Sequence, residues 1–235
     1  MCKERYHLID ALRGLSVVLM LGYHFGTNLI FFGIASESLI YNPFLNILEP
    51  IFAGLFILIS GMSCRFSRGN IKRGLITLLC AACVTAVTFI PFIGLNIVFG
   101  ILHFLGLSMV LYGLLSRFLN RIPFLVGAPL WLVLFIVTFR NFPVIAGSDW
   151  FCWAGFLTEN LYFHTADYFP LLKWFPLFLL GSQLGLPVKE HKLPDWFYRF
   201  NMPFLPFVGR RALIIYLAHQ PVFALICLPL AALLK

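Results

Sequence analysis

Residues Ile9–Gly33 read IDALRGLSVVLMLGYHFGTNLIFFG, and this stretch decides the class of the fold. It is long and apolar enough to cross a bilayer, whose hydrocarbon core of about 30 Å takes roughly 20 helical residues to span. Within it lie Asp10, Arg13 and His24. An ionisable side chain at that depth is costly unless it faces a polar interior. The stretch therefore predicts a transmembrane helix with a working face.

The remainder of the chain needs the same solvent. Hydrophobic residues make up 61% of 235, charged residues only 11%, and Phe occurs 27 times; mean hydropathy is +0.93. A soluble domain of this length cannot hide so much apolar surface. Apolar runs separated by polar or Pro/Gly-containing breaks cover Ile9–Gly33, Phe44–Cys64, Arg73–Phe92, Ile97–Arg117, Phe124–Phe139, Tyr168–Leu186 and Ala212–Leu234. Seven spans are expected, in one all-α polytopic membrane bundle that takes in residues 1–235 as a single domain. The fifth run is the shortest and contains Pro129, so six spans with a re-entrant piece is the alternative.

Charge sets an orientation. With the N-terminus in the cytoplasm, seven spans put Lys3, Arg5, Arg65, Arg68, Lys72, Arg73, Arg117, Arg121, Lys189, Lys192, Arg199, Arg210 and Arg211 on the inner side, most of the 17 basic residues. Arg140, Lys173 and Lys235 fall outside or near the outer ends. The outer segments carry Glu37, Glu49, Asp149, Glu159 and Asp167, so the asymmetry points to N-in, C-out. The net charge of +8 is then a topology signal, and no nucleic-acid partner is expected. The first span lacks a convincing small-residue cleavage site and is expected to stay as a signal anchor.

The six cysteines are not a disulfide framework. Cys2 and Cys64 fall at the inner side, Cys80, Cys83 and Cys227 within spans, and Cys152 alone in the outer loop. Cys80 and Cys83 make a C-x-x-C pair in an apolar run without a redox-domain context, so helix packing is their expected role. No metal site is expected.

Depth along the helices groups the polar residues. At about 1.5 Å per residue, Arg13 lies within roughly two turns of the inner surface and His24 in the outer half. Glu49, on the inward-running second span, and His103, on the fourth, reach the His24 level. The expectation is a polar pocket built from His24, Glu49 and His103, with Asp167 at the outer mouth and His219 nearer mid-membrane. Blander readings stand beside it. Asp10 and Arg13, three apart, fit a structural ion pair; the basic loop Arg65–Arg73 fits topology and lipid-headgroup attraction; a lone intramembrane His fits packing.

Four runs then occur in order: RYHLIDALRGLSVVLMLGYHF, IFAGLFILISGMS, IVFGILHFLGLSMVL and GRRALIIYLAHQPV. Together they resemble the catalytic domain named for heparan-alpha-glucosaminide N-acetyltransferase, within a superfamily that includes the acyltransferase-3 proteins. The first-helix signature of that second branch is an Arg and a His separated by ten residues, the separation of Arg13 and His24. The resemblance implies a membrane-embedded enzyme that moves an acyl group, typically acetyl, from acyl-CoA to an amine or hydroxyl. A sugar or glycolipid acceptor reached from the opposite face is the natural expectation.

On that reading Arg65, Arg68, Lys72 and Arg73 hold the donor's phosphates, with Arg13 lining the way inward. His24 or His103 serves as general base, oriented by Glu49, and an acyl-histidine intermediate is the rival route. Asn28, Asp167 and His219 are candidates for acceptor binding, and Asp10 for a structural motif. The short loops and compact chain suit a bacterial inner membrane, and the resemblance adds an expected homodimer. A proton-coupled transporter or channel is the alternative function, since intramembrane His, Glu and Arg also build ion paths.

Overall fold

A computed structural model describes residues 6–39, 42–90, 96–165 and 167–234; Cys2, Lys3, Arg5 and Lys235 lie outside them. In chain order the elements are α1 (His7–Phe31), α2 (Pro43–Phe66), α3 (Asn70–Thr88), α4 (Ile101–Leu119), α5 (Phe124–Asn141), β1 (Val144–Ile145), β2 (Phe156–Leu157), α6 (Glu159–His164), α7 (Leu171–Lys189), α8 (Asp195–Arg199), α9 (Phe204–Arg210) and α10 (Ala212–Leu233). Among the described residues, helices α1–α5, α7 and α10 are the seven long and apolar enough to cross a membrane. They agree in number and order with the spans expected from sequence. Pro129 lies inside α5, which still forms a continuous helix of 18 residues, long and apolar enough to be a span.

The helix ends follow local chemistry. Gly33, with φ +70°, closes α1: its N–H donates to the Ile30 carbonyl at 2.8 Å, and Ile34 N–H donates to Leu29 at 2.8 Å, the αL stop that glycine permits. At the start of α2, Asn42 Oδ1 accepts from Phe44 N–H at 3.0 Å, and Pro43 occupies the first helical position, where a missing N–H has no cost.

Contacts gather into two compact units, Met1–Ile59 with Leu193–Lys235, and Ser60–Lys192; the boundary falls within α2. In the first unit α1 packs on α9 through two glycines. A Cβ on Gly14 would collide with the Leu205 carbonyl, and one on Gly209 with the carbonyl of Asp10. The same helix also meets α10, where the Phe25 and Phe223 rings lie edge to face at 5.2 Å.

In the second unit α3 packs on α4 and α5 on α7. A Cβ added to Gly74 would sit 2.7 Å from the Gly106 carbonyl oxygen, so α3 and α4 touch at the level of their backbones. Phe104, Tyr112 and Phe178 are among the fully buried side chains. The α5–α7 connection is folded too: β1 and β2 pair in parallel, Val144 opposite Phe156. Asp149 pins this connection by accepting from Thr158 N–H at 2.7 Å and Thr158 Oγ1–H at 3.0 Å.

Large apolar side chains cover the outward faces of α5 and α10. Leu125 is 84% exposed, Leu225 73% and Leu233 83%. Water would not tolerate such faces on seven helices, whereas lipid is their matching solvent. Gly74→Val is expected to lower stability in detergent by about 1–3 kcal/mol through overpacking. Gly22→Ala on α1, where an added Cβ meets nothing within 4 Å, should be neutral or raise stability by up to about 1 kcal/mol; thermal unfolding of the two variants checks the contrast.

Candidate functional site

Two polar clusters interrupt the apolar interior, one in each unit. The first surrounds the turn from α2 to α3, where a cavity of about 760 Å³ is lined by residues that include Arg65, Arg68, Asn70, Lys72, Tyr112 and Asn120. Asn70 builds the turn. Its Nδ2 donates to the carbonyls of Cys64 at 2.9 Å and Ser67 at 3.0 Å, satisfying groups that the end of α2 would leave unpaired.

Arg65 is only 8% exposed, and its stem lies against Gly185 of α7, where a Cβ would come within 3.0 Å of the Arg65 Cβ. Its Nη1 donates to Tyr112 Oη at 3.4 Å and to Asn120 Oδ1, while Tyr112 Oη–H donates to Asn120 Oδ1 at 3.0 Å. Arg65 Nη2 and Asn70 Oδ1 are buried with no hydrogen-bond partner among the described residues. Arg68 and Lys72 are exposed, and no carboxylate belongs to the described lining. Three cations around a cavity without a fixed anion make a site for a phosphate or similar group. Arg73 is exposed on α3 and is not one of the lining residues.

The second cluster joins α1 to α10. The His24 and His219 rings lie 5.1 Å apart between centroids, with Tyr216 at 5.1 Å and Phe223 at 5.6 Å from His219. Asn28, one turn beyond His24 and buried, donates through Nδ2 to the His24 carbonyl at 2.7 Å and to Gln220 Oε1 at 3.0 Å. His219 is 6% exposed. Its Nδ1 bonds the Tyr216 carbonyl. A carbonyl can only accept, so Nδ1 carries the proton and the neutral ring keeps its lone pair on Nε2. That Nε2 is buried with no partner among the described residues.

His103 is held the other way round. Thr85 Oγ1–H donates to the Ile97 carbonyl at 2.8 Å, and its single hydrogen is thereby spent. At 3.2 Å from His103 Nε2 the hydroxyl accepts, so His103 donates through Nε2 and ties α4 to the end of α3. Both this residue and Asp167 belong to the second unit, whereas His24, Glu49 and His219 belong to the first. Glu49 is half-buried on α2. Asp10 and Arg13 form an ion pair at 2.8 Å. Asp167 Oδ2 accepts from Ile101 N–H at 3.0 Å, supplying a carboxylate to the first turn of α4, where the helix dipole favours it.

In the α5–α7 connection, burial pushes the Cys152 thiol above its ordinary range, the reverse of an activated nucleophile. The Tyr168 phenol, which donates to the Cys152 carbonyl at 2.7 Å, is also pushed up, chiefly by burial.

The histidine pair, the cation-lined cavity and seven spans now stand beside a comparison. A family model described as heparan-alpha-glucosaminide N-acetyltransferase, catalytic, matches residues 5–221. The chain belongs to this family. No curated protein and no solved structure matches it. Membership in the heparan-alpha-glucosaminide N-acetyltransferase catalytic family, with seven apolar helices, makes it a multi-pass integral membrane protein of a transferase family. The matched range takes in both histidines of the pair and every cation that lines the cavity.

Asp167→Ala is expected to cost about 1–2 kcal/mol of stability, the size of a lost helix cap, and Asp167→Asn should recover part of it by keeping an acceptor. Thermal unfolding of the two variants measures the cap directly. Equal stability of Asp167→Ala and the parent chain would remove capping as the role of this carboxylate.

Proposed function

We propose that this chain transfers an acetyl group from acetyl-CoA to an amine or hydroxyl of a sugar, with the donor entering from the cytoplasmic face and the acceptor from the opposite one. The observation that carries the reading is the unpaired Nε2 of His219. A buried imidazole whose Nδ1–H is held by a carbonyl offers one basic lone pair, here with no partner among the described residues, the state required of a general base. In the proposed reaction that nitrogen takes the proton of the acceptor as the acceptor attacks the thioester carbonyl, and the CoA sulfur leaves. His24, in ring contact with His219, helps to position it.

Family membership supports acetyl transfer, and the name of the family supports a glucosaminide-like acceptor. For the donor, the support is the cavity at Arg65, Arg68 and Lys72, whose cations match the phosphates of CoA. The N-in orientation rests on the basic residues at alternate helix ends, and it places this cavity on the side where acyl-CoA is made. A bacterial cytoplasmic membrane accords with the short connections.

The test is a turnover assay with labelled acetyl-CoA and a panel of glucosamine-bearing acceptors, read as acetylated product and free CoA thiol. His219→Ala is expected to lose about 10²–10⁴-fold in kcat with acetyl-CoA affinity unchanged, His24→Ala less, and His103→Ala least. Full turnover by His219→Ala would overturn the assignment. Label retained on the protein without acceptor, and lost in His219→Ala, would instead select the acyl-histidine route.

A further inference from the structure

The cation-lined cavity contains a feature that its charge alone does not explain. Arg65 is buried, yet the groups that accept from its Nη1 are both neutral, the Tyr112 hydroxyl and the Asn120 amide oxygen. A buried guanidinium is ordinarily matched by a carboxylate, because an uncompensated charge is expensive away from water. Here the position that would naturally hold that carboxylate is Asn120, which accepts from Arg65 and Tyr112 together. Aspartate has the same shape and would neutralise the pair.

The exposed Glu190 carboxylate, which pairs with Lys192, also feels the Arg65 charge. We infer that Tyr112 and Asn120 are positioning residues that orient Arg65 through neutral acceptors, leaving its Nη2 to a phosphate group entering the cavity. Two further observations point the same way. Arg65 Nη2 and Asn70 Oδ1 are both buried and unpartnered among the described residues, and both residues line the cavity. One wants an acceptor and the other a donor. A phosphate ester that also bears a hydroxyl or amine supplies both, whereas a fully deprotonated anion such as sulfate supplies only the first.

Tyr112 is the rigid half of the device. Its ring is 1% exposed and packs edge to face on Phe178 at 6.3 Å, so its hydroxyl is fixed before any ligand arrives. Asn120 sits just past the end of α4 and is exposed, at the position from which an added negative charge would meet both Arg65 and an incoming anion. Ile71, Leu75 and Ile76 give the same cavity an apolar wall. The phosphate ester can therefore belong to a nucleotide with a thin apolar arm or to a phospholipid headgroup with its chains along α3.

The inference deepens the donor reading above and is tested so that the two fail separately. The purified full chain in phosphatidylcholine nanodiscs is titrated with acetyl-CoA and with adenosine 3′,5′-bisphosphate, for the parent chain, Asn120→Asp, Asn120→Gln and Tyr112→Phe. Asn120→Asp is expected to raise the unfolding temperature, because it pairs a buried cation, while weakening both ligands by on the order of tenfold or more. Asn120→Gln, which keeps a neutral acceptor, should bind within a few-fold of the parent, and Tyr112→Phe should fall between the two.

That opposition of signs is what a merely structural residue would not give. Parent-like affinity in Asn120→Asp, with the protein folded, would overturn the positioning role even if acetyl-CoA binds. Binding of the bisphosphate but not of acetyl-CoA, with the same loss in Asn120→Asp, would keep the device and overturn the donor reading. Displacement of the bisphosphate by phosphatidylglycerol added to the nanodiscs, but not by CoA, would keep the device and assign it to a lipid headgroup.

Discussion

Helices in lipid gain nothing by hiding apolar surface from a solvent that is itself apolar, so their association depends on how closely their backbones approach. In this chain the approach is set by side chains that are absent. Gly14 and Gly209 let α1 lie on α9, and Gly74 and Gly106 let α3 lie on α4, at separations that leave no room for a Cβ. Both polar clusters include residues on the helices that meet at these contacts. The α1–α9 contact fixes the depth of the helix that carries His24 and Asn28. The α3–α4 contact brings Tyr112 and Asn120 to the turn that carries Arg65.

The same constraint explains why the polar residues come as small closed groups. With no water at depth, each donor must find an acceptor within its own unit, and most do. Asn70 satisfies the end of α2, Asn28 links α1 to Gln220, and Asp167 reaches across the chain to the first turn of α4. Against that background five buried side-chain atoms among the described residues have no partner: Arg65 Nη2, Asn70 Oδ1, Ser108 Oγ, Gln183 Oε1 and His219 Nε2. A buried polar atom left unpaired costs stability. Arg65 Nη2 and Asn70 Oδ1 belong to residues that line the cation-rich cavity, and His219 Nε2 to the histidine pair.

The spans were legible in the sequence because length and hydropathy are local properties, and α5 kept its helix despite Pro129 for the same reason. The cluster Arg65, Arg68 and Lys72 was legible too, since three cations within eight residues share a turn whatever the tertiary fold. Its partners were not. Tyr112, Ser116 and Asn120 recur every fourth residue along one face of α4, a polar stripe that was open to reading but had no sequence clue to its neighbour. Depth reckoning put His24, Glu49 and His103 at one level. Depth, however, does not tell which helices touch, and the residue found against His24 is His219, from the far end of the chain. Asp167, expected at a substrate mouth, spends an oxygen on a helix end, and Arg13, expected along the donor path, spends an N–H on Asp10.

Depth along the helices and the Arg13–His24 separation put His24 and His103 ahead of His219 as candidate bases, and neither bears on which ring nitrogen carries the proton. The ring nitrogen that meets an acceptor-only carbonyl must be protonated, and the ring nitrogen that meets a hydroxyl whose hydrogen is already given must be protonated as well. The first rule puts the free lone pair of His219 on Nε2, at the tip of a buried ring flanked by His24. The second commits Nε2 of His103 to Thr85 and makes the residue a tie between helices. Two histidines of equal intrinsic basicity are thus given opposite tautomers by one neighbouring oxygen each, His219 with its lone pair on Nε2 and His103 with its lone pair on Nδ1. That distinction lies in three-dimensional neighbours separated by many residues or by a turn of helix, and no spacing rule along the chain contains it.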